Sequence, residues 1–142
     1  MADSEYAEVF REEAGELLEE LETSLLELEK DPADLSIVSR VFRAMHTIKG
    51  SGAMFGFDDI AGFTHHVETA LDKVRDGTVP VSTELINLTL ASRDHIRALL
   101  DVATGGGEVD VAAGQQIIDA LRALVSGAAP GAKVAAPAPA PL

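Results

Sequence analysis

Residues 4–29 read SEYAEVFREEAGELLEELETSLLELE, and the spacing of their apolar residues decides the fold class. Phe10, Ala14, Leu17, Leu21, Leu25 and Leu28 recur at steps of three and four, which places them on one stripe of a helix with 3.6 residues per turn. Leu18 and Leu26 widen that stripe. Glu8, Glu12, Glu13, Glu16, Glu19, Glu20, Glu22, Glu27 and Glu29 occupy most of the remaining surface, as on a solvated helix face. Lys30-Asp31-Pro32 ends the segment, because proline cannot continue a helix.

The same period continues downstream. A second helix is expected from an Asp34 cap to about Met54, with Leu35, Val38, Phe42, Met45 and Ile48 facing a core. After a Phe55-Gly56-Phe57 corner, Asp58 caps a third helix that turns Ile60, Phe63, Val67, Leu71 and Val74 inward and stops at Gly77. Ser82 caps a fourth helix to about Ala103, carrying Leu85, Leu88, Ile96, Leu99 and Leu100, and Gly105-Gly106-Gly107 breaks it. A shorter fifth helix, from about Asp110 to Val125, carries Ile117, Leu121 and Leu124. No stretch alternates with period two, so no sheet is expected. Short connections between long amphipathic helices imply an all-α, up-down-up-down four-helix bundle with a fifth C-terminal helix.

Composition agrees with a helical core and narrows the function. Hydrophobic residues make up 46% of the 142-residue chain but aromatics only 4%, a palette of Leu, Ile, Val and Ala that suits packed helices. With no cysteine, disulfides, thiolate metal sites and cysteine nucleophiles are excluded. The net charge of −13 opposes binding to nucleic acid or anionic membranes, leaving proteins or small ligands as the expected partners. No run approaches the ~18 apolar residues of a spanning helix, so no membrane insertion is expected, and a cytoplasmic location is. Residues 1–126 are read as the folded domain. Residues 127–142, rich in Ala and Pro, are read as a linker to further domains.

The most informative stretch for function is Arg43-Ala44-Met45-His46-Thr47-Ile48-Lys49-Gly50-Ser51-Gly52. Its two glycines interrupt a helical pattern at a cost of about 1 kcal/mol each relative to alanine, and the usual compensation is room for something to come close. At about 100° per residue, Arg43, His46, Lys49, Gly50 and Ala53 share one face, away from the core seam. His46 then points outward with a cation one turn away and no bulky side chain beyond it, as a nucleophilic imidazole receiving a phosphoryl group requires. On the third helix His65, Glu68 and Asp72 share a face. A carboxylate such as Glu68 can accept from Nδ1–H of His46, fixing the tautomer and leaving Nε2 free to attack phosphorus.

His46-Thr47-Ile48-Lys49-Gly50-Ser51 closely resembles the phosphorylation motif of histidine phosphotransfer (HPt) domains. The run from Val41 through Phe55-Gly56-Phe57, with Thr64-His65-His66-Val67-Glu68, Leu71-Asp72 and Arg75, resembles the P1 domain of CheA-type chemotaxis kinases. The resemblance implies His46 as phospho-acceptor, Lys49 as charge partner, His65 and Glu68 as the network around the imidazole, and Gly50 as space for a partner. It also implies a donor kinase domain that supplies ATP and Mg, so that this chain needs no cofactor of its own. The implied recipients are aspartates of CheY/CheB-type response regulators. Arg43, Gly50 and Ala53 become the expected partner-binding residues, and the isolated domain is expected to be a monomer and a carrier without kinase activity. Many relatives have a second glycine directly after Gly50; this chain has Ser51 there, a variation expected to be tolerated.

Three other readings compete. One is a helical metal protein in which His46, His65, His66, Glu68 and Asp72 converge on a cation, although His65-x-x-Glu68 reverses the usual Glu-x-x-His order. Another is a docking bundle without chemistry, which leaves the helix glycines unexplained. The third is an HPt shuttle within a multistep relay. His66 and His95 are assigned no functional role.

Overall fold

The computed structural model describes residues 2–126; the expected linker over 127–142 lies outside them. Five helices follow in order: α1 (Ala2–Lys30), α2 (Leu35–Met54), α3 (Asp58–Arg75), α4 (Thr83–Ala103) and α5 (Val111–Val125). Among the described residues there is no strand. α1 packs on α2 and α4, α3 packs on the same two, and α5 covers the groove between α3 and α4. No helix of the described residues is long and apolar enough to cross a membrane.

Local chemistry sets the helix ends. Asp34, Ser82 and Asp110 each accept a backbone N–H of the following turn, from Ser36 (3.0 Å), Leu85 (3.1 Å) and Ala113 (3.2 Å). α3 differs from expectation: its cap is Phe57, without a side-chain bond, and Asp58 lies in the first turn, where its charge favours the helix dipole. The C-terminal ends of α2 and α3 are each followed by a left-handed glycine, Gly56 (φ 88°) and Gly77 (φ 87°). At the first, Phe57 N–H donates to Gly52 O (2.7 Å) and Gly56 N–H to Ala53 O (3.2 Å). After α3, Thr78 and Gly77 repeat the pattern on Lys73 and Val74 (3.0 and 3.1 Å), so one tight reversal joins α2 to α3 and a second leads from α3 toward α4.

The core follows the apolar stripes with three shifts. On α1 the fully buried position is Leu18, while Leu17 is only half-buried and Leu26 is exposed, because the stripe runs Phe10, Ala14, Leu18, Leu21, Leu25, Leu28. On α2, Ile37, Val41 and Ala44 join Val38, Met45 and Ile48 inside, and Leu35 is exposed. Phe42 is half-buried at the α2–α3 seam rather than central. The inward positions expected for α3 are all buried.

Two polar devices tie the bundle together. Arg93 of α4, 15% exposed in its side chain, donates from Nε to Leu18 O of α1 (2.8 Å) and approaches Glu22 at 3.6 Å. His95 lies under α5 with its ring 4.5 Å, centroid to centroid, from Phe63. Gly114 of α5 makes that fit possible, since a β-carbon there would stand 2.4 Å from His95 Nε2. His95 is therefore a packing residue that requires the glycine opposite it.

Candidate functional site

The hairpin register carries the site. A β-carbon on Gly52 of α2 would lie 3.5 Å from Phe57 O, 3.6 Å from Ala61 N and 3.6 Å from Ile60 Cγ2, ordinary contact distances, so this buried position marks where α2 packs against the start of α3. From that anchor the antiparallel helices run back side by side, and within about two turns His46 and Lys49 stand opposite Glu68. The glycine pair is thus divided in use. Gly52 is buried at the helix contact, whereas a β-carbon at Gly50 would meet nothing within 4 Å. Gly50 leaves open space beside His46 on the exposed surface of α2, where Arg43 and Ala53 are exposed too.

Glu68 is the hub. His46 Nδ1 is hydrogen-bonded to Oε2, and Lys49 Nζ donates to Oε1 at 2.5 Å. The Glu68 side chain is only 10% exposed, while that of His46 is 62% exposed. Burial is the largest single influence on Glu68 and pushes its carboxyl up. The hydrogen bonds from Lys49 and His46, with their charges, act together in the other direction and win, so the group is held below the usual carboxylate range. An ionised carboxylate only accepts, so Nδ1 must be the protonated ring nitrogen. In the neutral imidazole the lone pair then belongs to Nε2, on the far side of the ring from Glu68 and toward solvent.

His65 stands at the edge of this network. Its Nδ1 is 4.0 Å from Glu68 Oε1, beyond hydrogen-bond range, and its side chain is 61% exposed. It is a neighbour of the hub, not a partner in the bond. Asp72, on the same face, is turned to Arg75, which donates from Nη2 to Oδ1 at 2.8 Å. His66 lies nearer α5: burial, then the positive Arg122, then His65 lower its pKa. The five side chains of the metal reading therefore do not converge, and the described residues hold no group of three or more His, Asp or Glu arranged to bind an ion.

Sequence reasoning missed two residues beside the imidazole. Phe42, assigned to the core, lies one turn before His46 with its ring nearly parallel to the imidazole (9°, centroids 6.1 Å apart). Arg75 covers Phe42, its guanidinium carbon 3.9 Å from the ring centroid. The i, i+4 spacing of Phe42 and His46 was a legible signal, but only the α2–α3 register shows that Arg75 arrives there.

A helical bundle that displays one histidine to solvent, backed by a buried carboxylate and flanked by a lysine, has the form of a phosphoryl-accepting domain. Residues 5–127 match the family model of the Hpt domain. The chain belongs to that family. It is 40% identical over 129 residues to the chemotaxis protein CheA of Rhizobium meliloti (strain 1021), an alignment covering 91% of this chain and 17% of the relative. CheA of Bacillus subtilis (strain 168) is 37% identical over 105 residues, covering 74% of this chain and 16% of the relative. The chain thus spans about a sixth of these curated relatives. Among solved structures, the phosphorylated P1 domain of CheA3 in complex with CheY6 from R. sphaeroides superposes with a TM-score of 0.76 at 27% identity, covering 87% of this chain and 97% of that one. The histidine phosphotransfer domain of CheA, solved in solution, gives 0.73 at 33% identity, covering 84% and 90%.

Proposed function

We propose that this domain is the phosphoryl carrier of a chemotaxis kinase, with His46 as the residue that holds the phosphoryl group. The observation that carries this reading is the division of labour on one ring: Nδ1 is bonded to buried Glu68, while the side chain is 62% exposed and leaves Nε2 on the side away from that bond. In the forward step the Nε2 lone pair attacks the γ-phosphorus of ATP held by a separate kinase domain. The bond from γ-phosphorus to the bridging oxygen breaks, and ADP leaves with that electron pair. The proton on Nδ1 stays in place, so the phosphorylated ring becomes cationic, and the adjoining Glu68 carboxylate stabilises that charge. Lys49, bonded to the same carboxylate, offers positive charge to the incoming phosphoryl oxygens. In the second step an aspartate carboxylate of a CheY- or CheB-type response regulator attacks phosphorus, and the Nε2–P electron pair returns to the imidazole.

Support for a carrier, rather than an enzyme in its own right, comes from the economy of the site. One nucleophile, one orienting carboxylate and one cation suffice to accept and release the group, while the nucleotide and its Mg belong to the donor. Partner approach is assigned to the exposed α2 face of Arg43, Gly50 and Ala53, and a cytoplasmic location goes with this role. The test is labelling of the purified chain by a CheA-type kinase domain with γ-labelled ATP, followed by a chase with CheY- and CheB-type regulators. Wild type is expected to take an acid-labile label and lose it to a regulator, whereas His46→Gln takes none. Undiminished acid-labile labelling of His46→Gln refutes the assignment. Glu68→Ala is expected to label about 10- to 100-fold more slowly, the worth of a hydrogen bond to a charged group.

A further inference from the structure

The bond to Glu68 fixes one atom of the His46 ring but not its plane. The terminal torsion of a histidine side chain is broad, so an imidazole pinned only at Nδ1 still tilts about the line to its acceptor. The Nε2 lone pair lies in the ring plane, and every degree of tilt moves its aim. A second restraint acts on the ring itself. Phe42 lies almost parallel to the imidazole, 9° between planes with centroids 6.1 Å apart, within the range of offset aromatic pairs. Phe42 is in turn covered by the Arg75 guanidinium at 3.9 Å from its centroid, a cation–π contact. Arg75 is held by Asp72 at 2.8 Å.

We propose that Phe42, clamped by Arg75 and Asp72, is the positioning residue that sets the plane of the His46 imidazole and so aims Nε2 at the incoming phosphorus. The inference rests on the reading of His46 as phospho-acceptor. It divides the orienting work between helices: Glu68 of α3 chooses which nitrogen carries the proton, and Phe42 of α2 chooses where the other nitrogen points. It also accounts for Asp72 and Arg75 as a brace that reaches the site from the far end of α3. Phe42 and Arg75 touch no reacting atom; they act through the imidazole.

The experiment combines two readouts on the full chain: the order parameter of the His46 ring by NMR, with its tautomer, and the single-turnover rate of labelling by the kinase domain. Phe42→Leu keeps an apolar side chain at the seam but removes the plane. Arg75→Gln changes a side chain that is 42% exposed and leaves the core intact. Both are expected to keep Nδ1 protonated, to lower the His46 order parameter, and to slow labelling at saturating kinase by about three- to tenfold, less for Arg75→Gln. KM for the carrier should stay unchanged, and Phe42→Tyr and Arg75→Lys should recover most of the rate. An unchanged His46 order parameter in both variants overturns the proposal, whatever happens to the rate; so does a wild-type rate in both. Labelling of His46→Gln would instead sink the carrier reading, while the ring order measured in Phe42→Leu still judges the stack.

Discussion

Gly114→Ala is the substitution for which structure and propensity disagree most sharply. A glycine inside a helix, here the fourth residue of α5, weakens it by up to about 1 kcal/mol relative to alanine, so on propensity alone the change stabilises. The structure opposes this: the new β-carbon would lie 2.4 Å from His95 Nε2, 2.8 Å from Cε1 and 3.1 Å from Cδ2. The imidazole has little room to retreat, because its ring already lies against Phe63 at 4.5 Å. Overpacking of this kind costs about 1–3 kcal/mol, so the net expectation is a loss of about 0–2 kcal/mol. Urea titration should report it, or a fall in Tm of up to about 3–5 °C per kcal/mol. The decisive comparison is the same substitution in a His95→Ala background, where the clash is gone and Gly114→Ala should stabilise by about 1 kcal/mol. The coupling between the two sites is then about 1–3 kcal/mol, large enough for a double-mutant cycle to resolve. Gly62→Ala supplies the control, since its β-carbon would meet nothing within 4 Å. If Gly114→Ala raises stability equally in both backgrounds, as Gly62→Ala should, the imidazole is not in the way and the account of how α5 docks is wrong.

Four further outcomes are expected. His95, desolvated by burial with Asp110 partly opposing, and His66 both have lowered pKa values, so the fold favours their neutral forms. Their contribution is complete above the unfolded pKa of about 6.5 and declines as pH falls below it; urea midpoints at neutral and mildly acidic pH should show the loss, and His95→Gln should reduce it. Glu68, with a depressed carboxyl pKa, contributes stability that is present above the unfolded value of about 4.3 and is lost as pH falls through the folded one, so Glu68→Gln should flatten the acid limb of the stability curve. Gly50→Ala should stabilise by about 1 kcal/mol, its β-carbon meeting nothing within 4 Å, while Gly50→Leu should fold yet label at least about tenfold more slowly if a partner uses that space. Thr64 is fully buried and its Oγ1 has no partner among the described residues, so Thr64→Val should be neutral or stabilising by up to about 1–3 kcal/mol in thermal unfolding; a clear destabilisation would reveal an unseen bond.

The helices and most of their ends were legible in the chain because each is a local property, although the expected Asp58 cap of α3 proved to be Phe57. Apolar spacing of three and four marks a helix, and Asp34, Ser82, Asp110 and Gly77 act within a turn of where they stand. His46, Lys49 and Gly50 were likewise legible as one face, since helical geometry fixes which residues share a side. Even here the local reading slipped where a stripe is wide: Leu17 and Leu18 are adjacent, and only packing against the other helices decides that Leu18 is the buried one. That Phe42 sits beside the imidazole rather than in the centre of the core is decided in the same way.

What no local rule supplies is the register between helices. Glu68 meets His46 and Lys49 because α2 and α3 pack closely at their corner, around Gly52, and the single reversal at Gly56 sets their stagger. The same stagger leaves His65 out of bonding range, turns Asp72 to Arg75, and lays Arg75 over Phe42. His95 looked unremarkable in the chain and proves to be a packing wedge, because its meaning depends on a glycine from another helix. The sequence by itself determined that His46 shares one helix face with Lys49 and Gly50. The tertiary structure decided which of its nitrogens is free, since that depends on a carboxylate 22 residues away that only packing brings within a hydrogen bond.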